Sequence, residues 1–277
     1  MRNLQADRTV RFFSLKGETR PLPLRTPDNS FYGACVGFSP DGTHLVIGGA
    51  GSSGPPAGRR QSGGIVALFA WPSGNLIRVH GGLPAVVLRV HFTPDSTSYA
   101  AASGKHLLVW ERETGAERLR EAAHADAVHA SDMASAKPLL VTADLAGGTA
   151  LWDLSHGRRL YTGFGHEGGI HAAVFRPDGQ AFITAGSDGQ MVWWSTAPQN
   201  SDRELLSGPV VTAPRFISQA VAFSRDGRTL ATVEHNDIVL WDTSTWTKQS
   251  AFRISQQTMG LVAERILWSP DGSALVV

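Results

Sequence analysis

The chain has 277 residues, 42% hydrophobic and 18% charged, with a net charge of +1 at neutral pH. That is enough apolar material for a sizeable core, so wholesale disorder is excluded, and the balanced charge gives no general attraction to nucleic acid or anionic membrane. One cysteine, Cys35, excludes an internal disulfide framework, and the longest apolar run, residues 65–71, is about a third of a bilayer span.

From the N-terminus, MRNLQADRTV carries charge and no apolar run, which predicts no signal peptide and a cytoplasmic location. Residues 9–15 (TVRFFSL) and 18–24 read as strands about a Lys16-Gly17 turn. An apolar stretch ending in an aromatic and a turn follows at GFSPDG (37–42). It returns as HFTPDS (91–96), VFRPDG (174–179), FSRDG (223–227) and LWSPDG (267–272), with a degraded copy, SDMASAKP (131–138), filling one gap. The anchors Phe38, Phe92, Met133, Phe175, Phe223 and Trp268 are 54, 41, 42, 48 and 45 residues apart. After most anchors comes an alternating strand ending in Trp: LLVWE (107–111), TALWD (149–153), MVWWS (191–195) and DIVLWD (237–242). Residues 65–71 and 9–15 match it with Phe69 and Phe13 in the Trp place.

In Pro-Asp-Gly, Pro presets φ, Asp tolerates the second turn position and Gly takes the left-handed geometry. Ser73-Gly74, Thr114-Gly115 and His156-Gly157 close a second hairpin after the Trp strand. Each unit therefore reads as four antiparallel strands, and no helix-length amphipathic stretch is present. Four strands repeated every 40–45 residues or so is the sequence pattern of a propeller blade.

On these motifs the chain resembles the WD-repeat (WD40) β-propeller family over nearly its whole length. Trp-Asp stands at Trp152-Asp153 and Trp241-Asp242, and Gly165-His166 lies nine residues before its anchor, as His124 does before Met133. The resemblance implies a structural tetrad of His166, Thr184, Asp188 and Trp194, and a partial one of His124, Thr142 and Trp152. In the partial tetrad Ala146 occupies the Asp position. Gly104 and His235 stand there in the second and fifth units, which also lack the loop His, and Asp7 with Phe13 match only in the N-terminal half.

The fold expected is all-β: a propeller of four-stranded antiparallel blades, six in number, with the last shared between the termini (1–25 and 262–277). Full blades are expected at 30–80, 85–122, 126–164, 168–208 and 216–254. Such a shared blade would hide edges that invite aggregation. The alternatives are seven blades or a fragment of a longer propeller, since the chain stops within an apolar strand.

No HExxH, CxxC, GxSxG or phosphate-loop ending occurs, so no metal site, no cofactor and no catalytic residue is expected. Four residues before the anchors stand Ala34, Leu88, His129, His171, Gln219 and Glu264, at one level of a central channel or its mouth. A wet channel tolerates such polar groups, and His129, His171, Gln219 and Glu264 are the candidate binding residues there, with a metal or ligand site the less favoured reading. The Gly-rich stretch 48–64 reads as a surface insertion whose Arg59 and Arg60 could meet an acidic partner. Arg158-Arg159 reads as a solvated edge that discourages strand addition. The implied function is a non-catalytic scaffold for protein partners, with no nucleic acid and no membrane. A regulatory or sensor module of a larger protein, or an enzyme using His129, His171 and Glu264, are the alternatives.

Overall fold

The computed structural model describes residues 9–13, 19–23, 31–53, 61–197, 207–212, 217–234, 237–253, 266–269 and 271–276. All described regular structure is β. β1 (Thr9–Phe13) and β2 (Thr19–Pro23) pair as a two-stranded sheet. The first four-stranded sheet is β3 (Tyr32–Phe38), β4 (His44–Ser53), β5 (Gln61–Ala70) and β6 (Leu76–Leu83). The second is β7 (Val87–Phe92), β8 (Ser98–Ser103), β9 (His106–Glu111) and β10 (Glu117–Ala122). The third is β11 (Val128–Met133), β12 (Leu139–Asp144), β13 (Gly148–Asp153) and β14 (Arg158–Phe164). The fourth is β15 (Ile170–Phe175), β16 (Ala181–Gly186), β17 (Gln190–Ser195) and β18 (Ser207–Thr212). The fifth is β19 (Ile217–Phe223), β20 (Thr229–Glu234), β21 (Asp237–Asp242) and β22 (Thr247–Arg253), and β23 (Leu267–Trp268) pairs with β24 (Leu275–Val276). Each sheet runs in sequence order, so hairpins alone build it.

By packing, the chain divides into residues 1–104 with 110–117, and residues 105–109 with 118–277. In the first unit β3 lies beside β7; in the second β15 lies between β11 and β19. Sheets stacked this way are buried on both faces, so their middle strands read as apolar runs without alternation. β8 and β16 are buried at every residue, and Ala-rich sequences such as SYAAAS and AFITAG allow the close approach. Phe175, Phe182 and Trp194 of the fourth sheet pack on Ala134, Val141 and Leu151 of the third. Ile183, Ala185 and Met191 meet Phe223, Leu230 and Trp241 of the fifth.

The anchors keep one register. Phe38 pairs with Leu45 and Leu45 with Phe69; Met133 with Leu140 and Leu140 with Trp152. Phe175, Phe182 and Trp194 repeat the pattern, as do Phe223, Leu230 and Trp241. The degraded copy at 131–138 is thus a true hairpin.

Two expectations are corrected. The Gly-rich stretch is largely strand: β4 and β5 pair from Gly48–Val66 out to Ser53–Gln61, because Gly49 and Gly64 let neighbouring backbone approach. Residues 54–60, with Arg59 and Arg60, lie outside the described residues, as do Asp7, Lys16-Gly17, His235 and Glu264. In the turns, Asp is also not a tolerant bystander. Asp41, Asp95, Asp226 and Asp271 each accept a hydroxyl two residues earlier and a backbone N–H two residues later. Such Asx geometry makes the side chain a second closure of the turn.

Candidate functional site

The tetrad of the fourth sheet is complete. His166 Nδ1 lies 3.1 Å from both Asp188 oxygens, and its Nε2 lies 2.8 Å from Thr184 Oγ1. Trp194 Nε1 donates to that hydroxyl at 2.7 Å. The indole donates to the hydroxyl, the hydroxyl to Nε2, and Nδ1–H to the carboxylate, so each group is satisfied in one direction. The His166 and Asp188 side chains are 0% and 7% exposed, which leaves a substrate no route to the imidazole.

The third sheet corrects the sequence reading. His124 Nε2 meets Thr142 at 2.7 Å and Trp152 Nε1 donates to Thr142 at 2.8 Å, as expected. The carboxylate is not missing, however: Asp144, at the end of β12, lies 3.1 Å from His124 Nδ1. It also accepts the N–H groups of Ala125, Ala146 and Gly148. Burial pushes the Asp144 carboxyl upward, but the bonds from His124 and the backbone outweigh it and hold it below its ordinary range. Asp188 is balanced likewise by His166, Gln190 and Glu167. The signal for Asp144 lay two residues after Thr142 on the same strand face, where Ala146 drew attention away.

Elsewhere the register explains what replaces the network. Two residues past the paired position stand Ile47, Ala101, Thr142, Thr184 and Thr232. In the fifth sheet Trp241 Nε1 donates to Thr232 at 3.0 Å. In the first, Ile47 stands where the Thr would and Phe69 replaces the Trp, so there is no side-chain N–H to satisfy. In the second, Ala101 offers no hydroxyl, and His80 covers Trp110 instead, with centroids 4.4 Å apart and planes 16° off parallel. His80 Nε2 lies 2.7 Å from the Tyr99 hydroxyl. Burial, helped by the Arg78 charge, lowers its pKa to about 4, so it is a neutral packing group. Sequence reasoning missed it because it comes from the preceding sheet's outer strand.

The positions expected to line a channel share a local feature. Ala34, Leu88, His129 and His171 are each the extra residue of a β-bulge in the first strand of their sheets. A bulge re-aims its side chain out of the pleat. His129 and His171 are brought together, ring centroids 5.5 Å apart and planes at 87°. Gln219 falls within the shifted stretch of β19, but its side chain lies outside the described residues. Near them Asp132 spans two sheets, accepting the Phe175 N–H at 2.7 Å. Burial raises its pKa to about 6 against the lowering effect of the Phe175 and Met133 N–H groups.

Arg158 and Arg159 open the outer strand β14 and are exposed, as expected, and Arg159 makes further contacts there. Its guanidinium pairs with Glu121 of β10 at 3.0 Å and lies 5.8 Å from the Trp152 ring centroid. Arg158 is exposed, 3.9 Å from Asp153. An open cleft of about 600 Å³ runs here, lined by Glu121, Arg158, Arg159, Leu160, Tyr161 and Thr162. Among the described residues its lining includes neither a histidine nor a paired nucleophile and base. Among the described residues no group of three or more His, Cys, Asp or Glu could hold a metal ion, and no helix is long and apolar enough to cross a membrane.

Repeated four-stranded antiparallel sheets, two of which hold a His–Asp–Thr–Trp network, make an all-β arrangement consistent with a WD40 β-propeller. The family described as "WD domain, G-beta repeat" is matched over residues 157–195, which hold His166, Thr184, Asp188 and Trp194. Guanine nucleotide-binding protein subunit beta of rice, in both the indica and japonica subspecies, is 31% identical over 188 residues, covering 60% of this chain and 47% of the rice protein. Mouse striatin is 24% identical over 199 residues, covering 66% of this chain and 25% of striatin. The chain thus spans about half the length of the rice relatives.

Proposed function

We propose that the chain is a non-catalytic platform for protein partners. The observation that carries this is the fate of its triad-like groups. Both His–carboxylate pairs end on an indole buried within a sheet, and their side chains are almost wholly covered, so they serve packing and not turnover. Sheets joined by short hairpin loops offer a docking surface, with affinity from a few anchors. The rice relative's name makes it a subunit, which agrees with an assembly role. Near-neutral charge favours protein over nucleic acid or membrane as the partner class. In this reading β1–β2 and β23–β24 are halves of one closing blade, and residues 51–63 with Arg59 and Arg60 form a recognition element.

Affinity capture with the intact chain, a chain lacking residues 51–63, and His166→Ala tests it. Partners retained by the intact chain and lost on the deletion support the platform and its insertion, and His166→Ala should lower stability while keeping the same partners at low temperature. Capture no different from that of an unrelated protein overturns it.

A further inference from the structure

The paired bulges in the second unit carry an inference independent of the partner reading. Ser187 Oγ donates to the Gly169 carbonyl at 2.9 Å. Its one proton being so committed, it accepts from His171, whose Nε2 lies 3.0 Å away. Nε2 therefore bears the proton, and Nδ1 is the lone-pair nitrogen of His171. That atom is buried and has no hydrogen-bond partner among the described residues. A hydrogen bond that fixes the tautomer and orients the ring is the arrangement that surrounds metal-ligating imidazoles. Beside it stands the imidazole of His129, 5.5 Å away centroid to centroid.

The distance suits a shared ion. With a metal–nitrogen bond of about 2.1 Å and a ring radius of about 1.1 Å, each centroid sits about 3.2 Å from a common metal, so this separation subtends about 120°, near the tetrahedral angle. Both rings come from bulge residues of adjacent first strands, so their backbones are held by two sheets. We infer that His129 and His171 form a two-imidazole site for a borderline transition-metal dication of the zinc class, oriented by the Ser187–Gly169 relay. No third His, Cys, Asp or Glu joins them among the described residues, so the remaining coordination positions fall to water. Neutral imidazoles select zinc, copper or nickel over calcium or magnesium, which prefer oxygen.

The test is calorimetric titration of chelator-stripped protein with Zn²⁺, with Mg²⁺ as comparison. One Zn²⁺ per chain and no Mg²⁺ uptake is expected. His129→Gln and His171→Gln should each weaken binding at least tenfold while keeping the far-ultraviolet circular dichroism of the parent. Ser187→Ala, which frees the tautomer, should weaken it about tenfold. His156→Ala, altering an exposed histidine beside Asp153, should leave it unchanged. Zinc uptake that survives His171→Gln, uptake that instead vanishes with His156→Ala, or no uptake by the parent overturns the site.

Discussion

In the fourth sheet the carboxylate that holds the imidazole stands four residues after the strand hydroxyl; in the third it stands two after. Each route needs its own glycine. A Cβ on Gly186 would sit 2.5 Å from His166 Nδ1 and 2.9 Å from Asp188, while one on Gly148 would come within 2.9 Å of Asp144. Gly186→Ala and Gly148→Ala are therefore expected to cost about 1–3 kcal/mol each, the usual range for a group forced into a filled site, read as a drop in urea midpoint. Asp132 gives a prediction of opposite sign. Its folded-state pKa of about 6 lies above that of an unfolded aspartate, so the folded state holds the extra proton. Stability from this group is then greatest at low pH, falls as pH rises from about 4 to 6, and is flat beyond. Asp132→Asn keeps an acceptor for the Phe175 N–H without the charge. The variant should match the parent near pH 4 and exceed it by about 1–3 kcal/mol at pH 7.5. A parent–variant difference that does not change with pH would exclude this role.

At the level of the hairpin, the second sheet places Ser96 where Gly42, Gly179, Gly227 and Gly272 stand in four other copies and Lys137 in the third. Ser96 has φ of 60°, a geometry that costs a residue with a Cβ about 1 kcal/mol. Its hydroxyl accepts the Asp41 N–H from the neighbouring sheet's turn at 3.1 Å, worth a similar amount. Ser96→Gly should thus be neutral within about 0.5 kcal/mol, whereas Ser96→Ala keeps the strain, loses the bond and should cost about 1 kcal/mol, both read from thermal midpoints. The pair separates backbone relief from bridging. This scale is also where the sequence was most legible. Phe–turn–Trp spacing marked each hairpin, since anchors and turn residues are local, and it located even the Met133 copy. What it could not show was anything set by register between sheets: the bulges at His129 and His171, Asp144 standing in for Ala146, His80 lying over Trp110. A bulge moves one residue out of phase without changing composition, and the imidazole over Trp110 comes from another sheet 30 residues upstream.

On the scale of the whole molecule, stacking within each packing unit covers most first strands but leaves apolar side chains exposed on β3 in one unit and on β23 and β24 in the other. On β3, Tyr32, Val36 and Phe38 are 62%, 52% and 48% exposed, and on β23 and β24 Leu267 and Val276 are 59% and 64% exposed. First-strand residues of inner sheets, such as Ala130 at 3% and Val90 at 7%, are covered. Repeat arrays need capping of such terminal faces for solubility, and a propeller supplies it by closure. If β1–β2 and β23–β24 complete one closing blade, residues 1–25 are structural. Deleting them should then lower the thermal midpoint by several degrees and promote concentration-dependent association, because exposed apolar faces and new strand edges seek partners. Light scattering across a tenfold concentration range reads the second effect. If the N-terminal pair takes no part in closure, the truncated chain melts with the parent and scatters identically.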